Sequence, residues 1–303
     1  MSYITALEQI SKQTGCEYKL SEPMAKHTTF QIGGSADIFL EPDSEIQIST
    51  ALRYCHDNGV RCYIIGNGSN LLVKDEGIRG CVIHIGPKLS KITLSGENKI
   101  TCMSGAKLSS LCQFALHHSL TGLEFAYGIP GSAGGAAFMN AGAYGGEMKD
   151  VIIHCSHLTM NGKIENFTTE QLAFGYRQSI YSLHPSEYCI LSVTVTLSPG
   201  NPEEIKCKMN DLYNRRITKQ PLEYPSAGSM FKRPQGAFAG ALIEQCGLKG
   251  YQIGGAAVST KHSGFVVNLG NATCEDVLAL IAHIQKTVLD QTGFYLECEV
   301  KQI

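Results

Sequence analysis

Glycine recurs through Gly128-Ile129-Pro130-Gly131-Ser132-Ala133-Gly134-Gly135-Ala136-Ala137-Phe138-Met139-Asn140-Ala141-Gly142-Ala143-Tyr144-Gly145-Gly146, with small residues filling most of the gaps. Ordering so many glycines is entropically costly. A purely structural loop rarely needs them, whereas main chain lying against a pyrophosphate or a flat ring system does. A second segment, Ile64-Ile65-Gly66-Asn67-Gly68-Ser69-Asn70-Leu71-Leu72, runs an apolar strand into a tight turn. Its N–H groups can curve around an anion with no Cβ in the way. It is not a Walker loop, because no Lys-Ser or Lys-Thr follows. Nor is it the dinucleotide fingerprint, because a third glycine at the right offset is missing. Taken alone, a plain turn explains it about as well.

The polar candidates form a third set. Phe174-Gly175-Tyr176-Arg177-Gln178-Ser179 places one arginine among aromatic and small residues. Pro225-Ser226-Ala227-Gly228-Ser229-Met230-Phe231-Lys232-Arg233-Pro234 places a serine after Ala-Gly and two cations soon after it, with Lys219-Gln220-Pro221 upstream. A single Arg or Ser is most often a surface or capping residue. Lys219, Lys232 and Arg233 around one Gly-Ser turn, in a chain of formal net charge −2, fit a phosphorylated or carboxylated ligand. In the tail Leu296-Glu297-Cys298-Glu299-Val300-Lys301, period-two alternation puts Glu297, Glu299 and Lys301 on one face, which a solvated strand would also explain.

The elements that must hold these residues are read from periodicity and caps. Residues 44–58 suit a helix, with Ser44 and Gln47 as a capping-box pattern and Gly59 as its stop. Val60 to Ile65 is a strand, as are 81–85 and 100–103, and 107–118 suits a helix. Residues 151–160 and 188–197 alternate apolar and polar residues like half-buried strands. A helix starts at Pro202. Another follows Thr273 with Asp276 as capping partner, and Tyr295 to Gln302 closes as a strand. The fold class is α+β with mixed sheets, divided as 1–85, 86–200 and 201–303.

The 303 residues suffice for two or three structural units. Hydrophobic residues make up 43% and charged residues 17%, an ordinary globular mix. The near-neutral charge argues against nucleic acid as a partner. No apolar run is long enough for a membrane span, and the N-terminal residues lack the pattern of a signal peptide. The twelve cysteines are scattered singly with no CxxC. They read as reduced core residues of a cytoplasmic protein, with no metal expected. His154 and His157 form HxxH, but an odd offset on a strand sends them to opposite faces, so joint ligation of a metal is not expected.

These segments together resemble one family. HTTFQIGGSAD, IIGNGSNLLV, GIPGSAGGAAFMNAGAYG, FGYRQS, AGSMFKRP, AGALIEQCGLKGYQIGGAAVS and a terminal LECEVK are similar, in that order from about residue 20 to the end, to the UDP-N-acetylenolpyruvoylglucosamine reductases (UDP-N-acetylmuramate dehydrogenases, MurB). The length resembles the shorter branch, which lacks a segment carrying a substrate-covering tyrosine. The resemblance implies an FAD-binding fold of the vanillyl-alcohol-oxidase type, with two α+β FAD subdomains and a C-terminal α+β substrate domain. It implies non-covalent FAD held by Gly66, Asn67, Gly68, Ser69, Asn70, Leu71, Gly131, Ser132, Gly134, Gly135, Asn140 and Gly142. NADPH is the implied electron donor and the enolpyruvyl ether of UDP-N-acetylglucosamine the implied substrate, in peptidoglycan precursor synthesis.

By the same resemblance, Arg177 faces the substrate carboxylate, Ser229 is the proton donor, and Glu299 assists the enolate-like intermediate, although a register slip would exchange it with Glu297. Lys219 matches a diphosphate-contacting lysine, with Lys232 and Arg233 nearby. Some relatives carry Asn where this chain has Arg233, so an ionic contact replaces a neutral one there. A monomer is expected. An alcohol or hydroxy-acid oxidase on the same fold is the competing reading, and a non-catalytic flavin- or nucleotide-binding regulator a more distant one. The oxidase would need neither a serine acid nor diphosphate-binding cations.

Overall fold

The computed structural model describes residues 2–303, and the chain falls into two compact units that are not contiguous in sequence. Unit 1 comprises Met1–Glu22, Asp37–Asn67 and Arg79–Asn214; unit 2 comprises Pro23–Ala36, Gly68–Ile78 and Arg215–Ile303. The passage from unit 1 to unit 2 falls between Asn214 and Arg215, inside the helix Pro202–Lys219.

Unit 1 is built on two sheets. The first orders its strands Glu17–Pro23, Ser35–Glu41, Ile78–His84 and Cys62–Ile65, the last two parallel. The helices Tyr3–Thr14 and Glu45–Asp57 contribute Leu7, Ile48, Ala51, Leu52 and Cys55 to its core, which also takes Ile38, Leu40, Cys81 and Ile83. The expected capping box of the second helix does not form. Ser44 makes no side-chain cap; instead Gln47 accepts from the Asp43 N–H at 2.8 Å and donates to the Thr14 carbonyl at 3.1 Å. A buried amide between the two helices is worth more than a surface cap.

The second sheet is antiparallel, ordered Ile164–Thr168, Ile152–Thr159, Tyr188–Thr196, Lys99–Met103 and Ile92–Gly96. Tyr188–Thr196 was expected to be half-buried, yet it is covered on both faces. Ile190, Val193 and Val195 join a core with Leu108, Leu111, Ala133 and Ala137, while Cys189 and Leu191 join the first sheet's core. His157 is fully buried after a register irregularity at Ser156/His157. It shares a 3.1 Å hydrogen bond with the Tyr181 hydroxyl among the rings of Phe167 and Tyr188, so it is a core imidazole.

Unit 2 has an antiparallel sheet ordered Ser226–Ser229, Phe265–Asn268, Ala256–Val258 and Gln252–Ile253, backed by the helices Cys274–Thr292 and Ala239–Gln245. Two early segments complete it. Phe30, Ile32 and Leu72 enter the core with Leu280 and Ile284, and Leu71–Leu72 pairs in parallel with Lys301–Gln302. The expected terminal strand from Tyr295 is reduced to those last two residues plus a single bridge between Phe231 and Cys298.

All twelve cysteines are free and eight are buried. Burial pushes the Cys102 and Cys189 thiols up to about 12 and Cys16 up to about 11, which makes them inert. Cys55 departs from this pattern: hydrogen bonds from the Cys62 and Cys81 thiols lower it.

The helix Cys274–Thr292 carries the capping box read from sequence. Thr273 Oγ1 accepts from the Asp276 N–H at 3.0 Å and Asp276 Oδ2 accepts from the Thr273 N–H at 3.1 Å. Asp75 adds acceptors for the Cys274 and Glu275 N–H groups, at 2.8 and 3.1 Å. The Asp276 carboxylate also accepts from Gly255 N–H, and these main-chain donors hold it below the usual aspartate range. A carboxyl lowered on folding adds stability above its unfolded value and loses it as pH falls through the folded one. Asp276→Asn should therefore cost about 1–2 kcal/mol at neutral pH. Urea unfolding at successive pH values should show that difference shrinking as the pH falls below the ordinary aspartate range.

Candidate active site

In unit 1 the two glycine segments run against each other. A Cβ on Gly66 would stand 2.4 Å from Ser132 Oγ, and Asn67 Nδ2 donates to the Pro130 carbonyl at 3.4 Å. The long glycine segment is not simply a loop. Ala133–Phe138 forms a short helix whose N-cap, Ser132, accepts from the Gly135 N–H at 3.3 Å. Gly134 N–H donates to the Ser104 carbonyl at 2.9 Å, and a Cβ there would meet Ser104 Cβ at 2.6 Å. A Cβ on Gly142 would meet Glu147 Cγ at 2.7 Å, and one on Gly146 the Phe125 ring at 2.6 Å. Much of the glycine density therefore serves close approach of the chain to itself, a use the composition could not distinguish from ligand contact. Pro130, Gly135, Tyr144 and Gly145 remain exposed, with Gly131 half-buried. Among the described residues, the N–H groups of Asn67, Gly68 and Ser69 donate to no main-chain carbonyl. Such a turn fits an anionic cofactor group.

Arg177 sits in a turn closed by a bridge between Gly175 and Gln178, with φ of 55° in the left-handed region. Non-glycine residues adopt that region at a cost, so neighbours must hold it there. Two residues do. Asn140, fully buried and itself at φ of 46°, donates from Nδ2 to the Gly175 carbonyl at 2.8 Å and to Glu147 Oε2 at 3.1 Å, while Oδ1 accepts from the Lys149 N–H at 2.9 Å. Ser179 Oγ donates to the Phe138 carbonyl at 2.5 Å. The guanidinium lies 5.5 Å from the centroid of the exposed Tyr176 ring. The amide atoms of Asn140 are engaged by protein groups and act as a brace. The Ser179 brace was not read from sequence. Its signal, a serine two residues after the arginine, is too common to notice.

In unit 2, Ser226 pairs with Val267 and Ser229 with Phe265, so one extra residue bulges between them. Gly228 occupies the bulge at φ of 79°, with nothing within 4 Å of where its Cβ would be. Bulges of this kind re-aim the following side chain, here the half-buried Ser229. Residues 230–232 then run beside 297–299: Lys232 N–H donates to the Glu297 carbonyl at 2.8 Å and Glu299 N–H to the Met230 carbonyl at 2.9 Å. Glu299 is only 9% exposed, whereas the Glu297 side chain is 64% exposed and pairs with Lys232 Nζ at 2.5 Å. The expectation that both glutamates share one face fails, because residues 295–300 are irregular and period-two alternation does not apply.

The turn after Asn67 continues into unit 2. Asn70 Nδ2 donates to the Glu299 carbonyl at 3.2 Å and the Lys301 N–H donates to the Asn70 carbonyl at 2.9 Å. Gly68, at φ of 60°, packs so closely on His27 that a Cβ would stand 2.0 Å from that carbonyl oxygen. Of the cations, Lys219 is exposed at the end of its helix and the Arg233 guanidinium lies 4.0 Å from the Phe238 ring centroid. Lys261, not singled out from sequence, bonds the Ile217 carbonyl at 2.8 Å and Glu223 at 3.3 Å, and so steadies the end of the same helix.

The family model described as the UDP-N-acetylenolpyruvoylglucosamine reductase C-terminal domain matches residues 220–303, and one described as an FAD binding domain matches residues 36–168. A UDP-N-acetylenolpyruvoylglucosamine reductase of Clostridium perfringens is 52% identical over 94% of this chain and 92% of its own length. That of Clostridioides difficile strain 630 is 48% identical over 99% and 96%. The crystal structure of UDP-N-acetylenolpyruvylglucosamine reductase (MurB) from Thermus caldophilus superposes with a TM-score of 0.80 at 34% identity, covering 95% of this chain and 98% of that one. On this similarity over nearly its whole length, the chain belongs to the UDP-N-acetylenolpyruvoylglucosamine reductase family, with an FAD-binding domain and that family's C-terminal domain.

Proposed function

We propose that Arg177, Ser229 and Glu299 supply the polar catalysis of this family's reaction, and that the two glycine segments hold FAD. The chain is an FAD-containing oxidoreductase that uses NADPH to reduce UDP-N-acetylenolpyruvoylglucosamine to UDP-N-acetylmuramate, in peptidoglycan precursor synthesis. FAD, when bound, supplies the hydride that it accepts from NADPH. Gly66, Asn67, Gly68, Ser69, Asn70 and Leu71 contact it non-covalently, as do Gly131, Ser132, Gly134, Gly135, Asn140 and Gly142, mainly through main chain. The side-chain bonds of Asn140 to Gly175 and Glu147 favour a main-chain role for that residue.

Hydride addition to the vinyl carbon builds negative charge on the adjacent carbon and its carboxylate. Arg177, held in its turn before substrate arrives, stabilises that charge without reorganising. Ser229 gives its hydroxyl proton to the same carbon and is resupplied through a water or a neighbouring cation. Glu299, when its carboxyl carries a proton, donates a hydrogen bond to the charged intermediate. Its burial, against the exposure and Lys232 pairing of Glu297, supports this choice. Lys219, Lys232 and Arg233 grip the diphosphate, and Lys232 exchanges Glu297 for phosphate. The observation that supports the reading is that Ser229 follows the glycine bulge at 227–228 and the next residues, 230–232, run beside the segment bearing Glu299.

We further propose that 1–85 and 86–200 form two FAD subdomains and 201–303 the substrate domain. Among the described residues no helix is long and apolar enough to cross a membrane. With twelve free thiols and a net charge of −2, a cytoplasmic monomer that binds no nucleic acid is the reading we favour.

Stopped-flow flavin absorbance tests the assignment. NADPH should bleach the holoprotein and the enolpyruvyl sugar nucleotide should restore it. Ser229→Ala should bleach at the wild-type rate yet recover about 10²-fold or more slowly, and recovery at full speed would remove Ser229 from its role. The two glutamates are separated by the same traces: Glu299→Gln should slow reoxidation, whereas Glu297→Gln should leave its maximal rate near wild type and change mainly the substrate concentration needed.

A further inference from the structure

The cysteines that sequence spacing scatters are gathered by the fold at one place in unit 1. Cys55 lies in the last turn of the helix Glu45–Asp57, and Cys62 opens the strand Cys62–Ile65. Cys81 stands directly opposite Cys62 in the parallel register of the neighbouring strand. The three Sγ atoms all lie within 4.8 Å of one another. With metal–sulfur bonds of about 2.3 Å, three sulfurs evenly placed around one ion stand at most about 4.0 Å apart, so the triangle needs to contract by no more than about 1 Å on each edge to close on an ion. Cys55 and Cys81 are buried and Cys62 is half-buried.

We infer that Cys55, Cys62 and Cys81 form a site for a thiophilic trivalent ion of the arsenite type, held as a neutral tris-thiolate. Three observations select this ligand class. Sulfur donors select soft ions over magnesium, calcium or manganese. Among the described residues the cluster offers three ligands from Cys, His, Asp and Glu, not four, whereas structural zinc takes four. The surroundings are apolar, since the same core holds Leu52, Ile83, Cys189 and Leu191. In such a setting a net charge is expensive: three thiolates leave −2 on a monovalent ion and −1 on a divalent one, but none on a trivalent one. Binding is an exchange without redox change. Arsenous acid loses three As–O bonds and gains three As–S bonds, each thiol proton leaves with a hydroxide as water, and arsenic stays trivalent.

The test uses the folded full-length protein and sodium arsenite, read by native mass spectrometry and by near-ultraviolet sulfur-to-arsenic absorption, with no turnover measured. One arsenic per chain is expected, and Cys62→Ala and Cys55→Ala should each weaken it by about 10²-fold or more, as loss of one tethered ligand does. Cys207→Ala, at an exposed cysteine elsewhere, should bind as wild type, and zinc ion should bind more weakly than arsenite. Absence of a bound arsenic, undiminished binding by both Cys62→Ala and Cys55→Ala, or tighter binding of zinc would overturn the inference.

Discussion

The constraint on which the rest depends is how closely main chain must approach main chain around the glycine segments. At Gly68 a Cβ would lie 2.0 Å from the His27 carbonyl oxygen, and at Gly34 it would lie 2.1 Å from the Asp75 carbonyl oxygen. Any L-residue side chain there must displace backbone rather than a flexible side-chain tip. The Gly66–Ser132 and Gly134–Ser104 approaches impose the same limit inside unit 1. Because these contacts leave no slack, the turn 66–70 has one shape. Its N–H groups are therefore already oriented, as the FAD-binding role proposed for them requires.

From that rigidity the polar groups inherit their positions. The segment that packs against Ser104 at Gly134 ends in Phe138 and Asn140, whose carbonyl and amide secure the turn carrying Arg177. An arginine at positive φ is strained, and strain persists only where surroundings over-determine it. One bond to Gly175 at the start of the turn and one from Ser179 just past its end do that. In unit 2 the bulge at Gly228 and the irregular run beside residues 230–232 play the corresponding part for Ser229 and Glu299. Each polar group thus depends on a departure from regular structure rather than on a regular helix or strand.

That dependence explains what was legible in the chain before its fold. The helix after Thr273 was readable because its capping box joins residues three apart, a local pattern that tertiary contacts did not override. The strand into Gly66 and the helix from Pro202 were readable for the same reason. Ser44 and Gln47 show the opposite: the pattern is present, but Gln47 gains more by bridging to Thr14, thirty-three residues away. The helix Ala133–Phe138 was hidden because glycine and alanine carry no hydrophobic period. Glu297 and Glu299 were placed on one face by an alternation that holds only in a regular strand, and Phe231 and Cys298 supply just one bridge there.

The cysteines show the same limit from the side of composition. A motif such as CxxC is visible because one helical or loop turn brings its ligands together. Cys62 and Cys81 meet across a parallel ladder, and parallel strands require a long crossover between them, so their separation in sequence is a consequence of the topology that joins them. Spacing alone excludes local metal motifs but not this arrangement. The other buried thiols, Cys102 and Cys189 among them, are raised by burial into inertness. Only where three sulfurs converge does one of them have S–H donors to favour its thiolate. Convergence, not cysteine number, separates the clustered thiols from those that are buried singly in this chain.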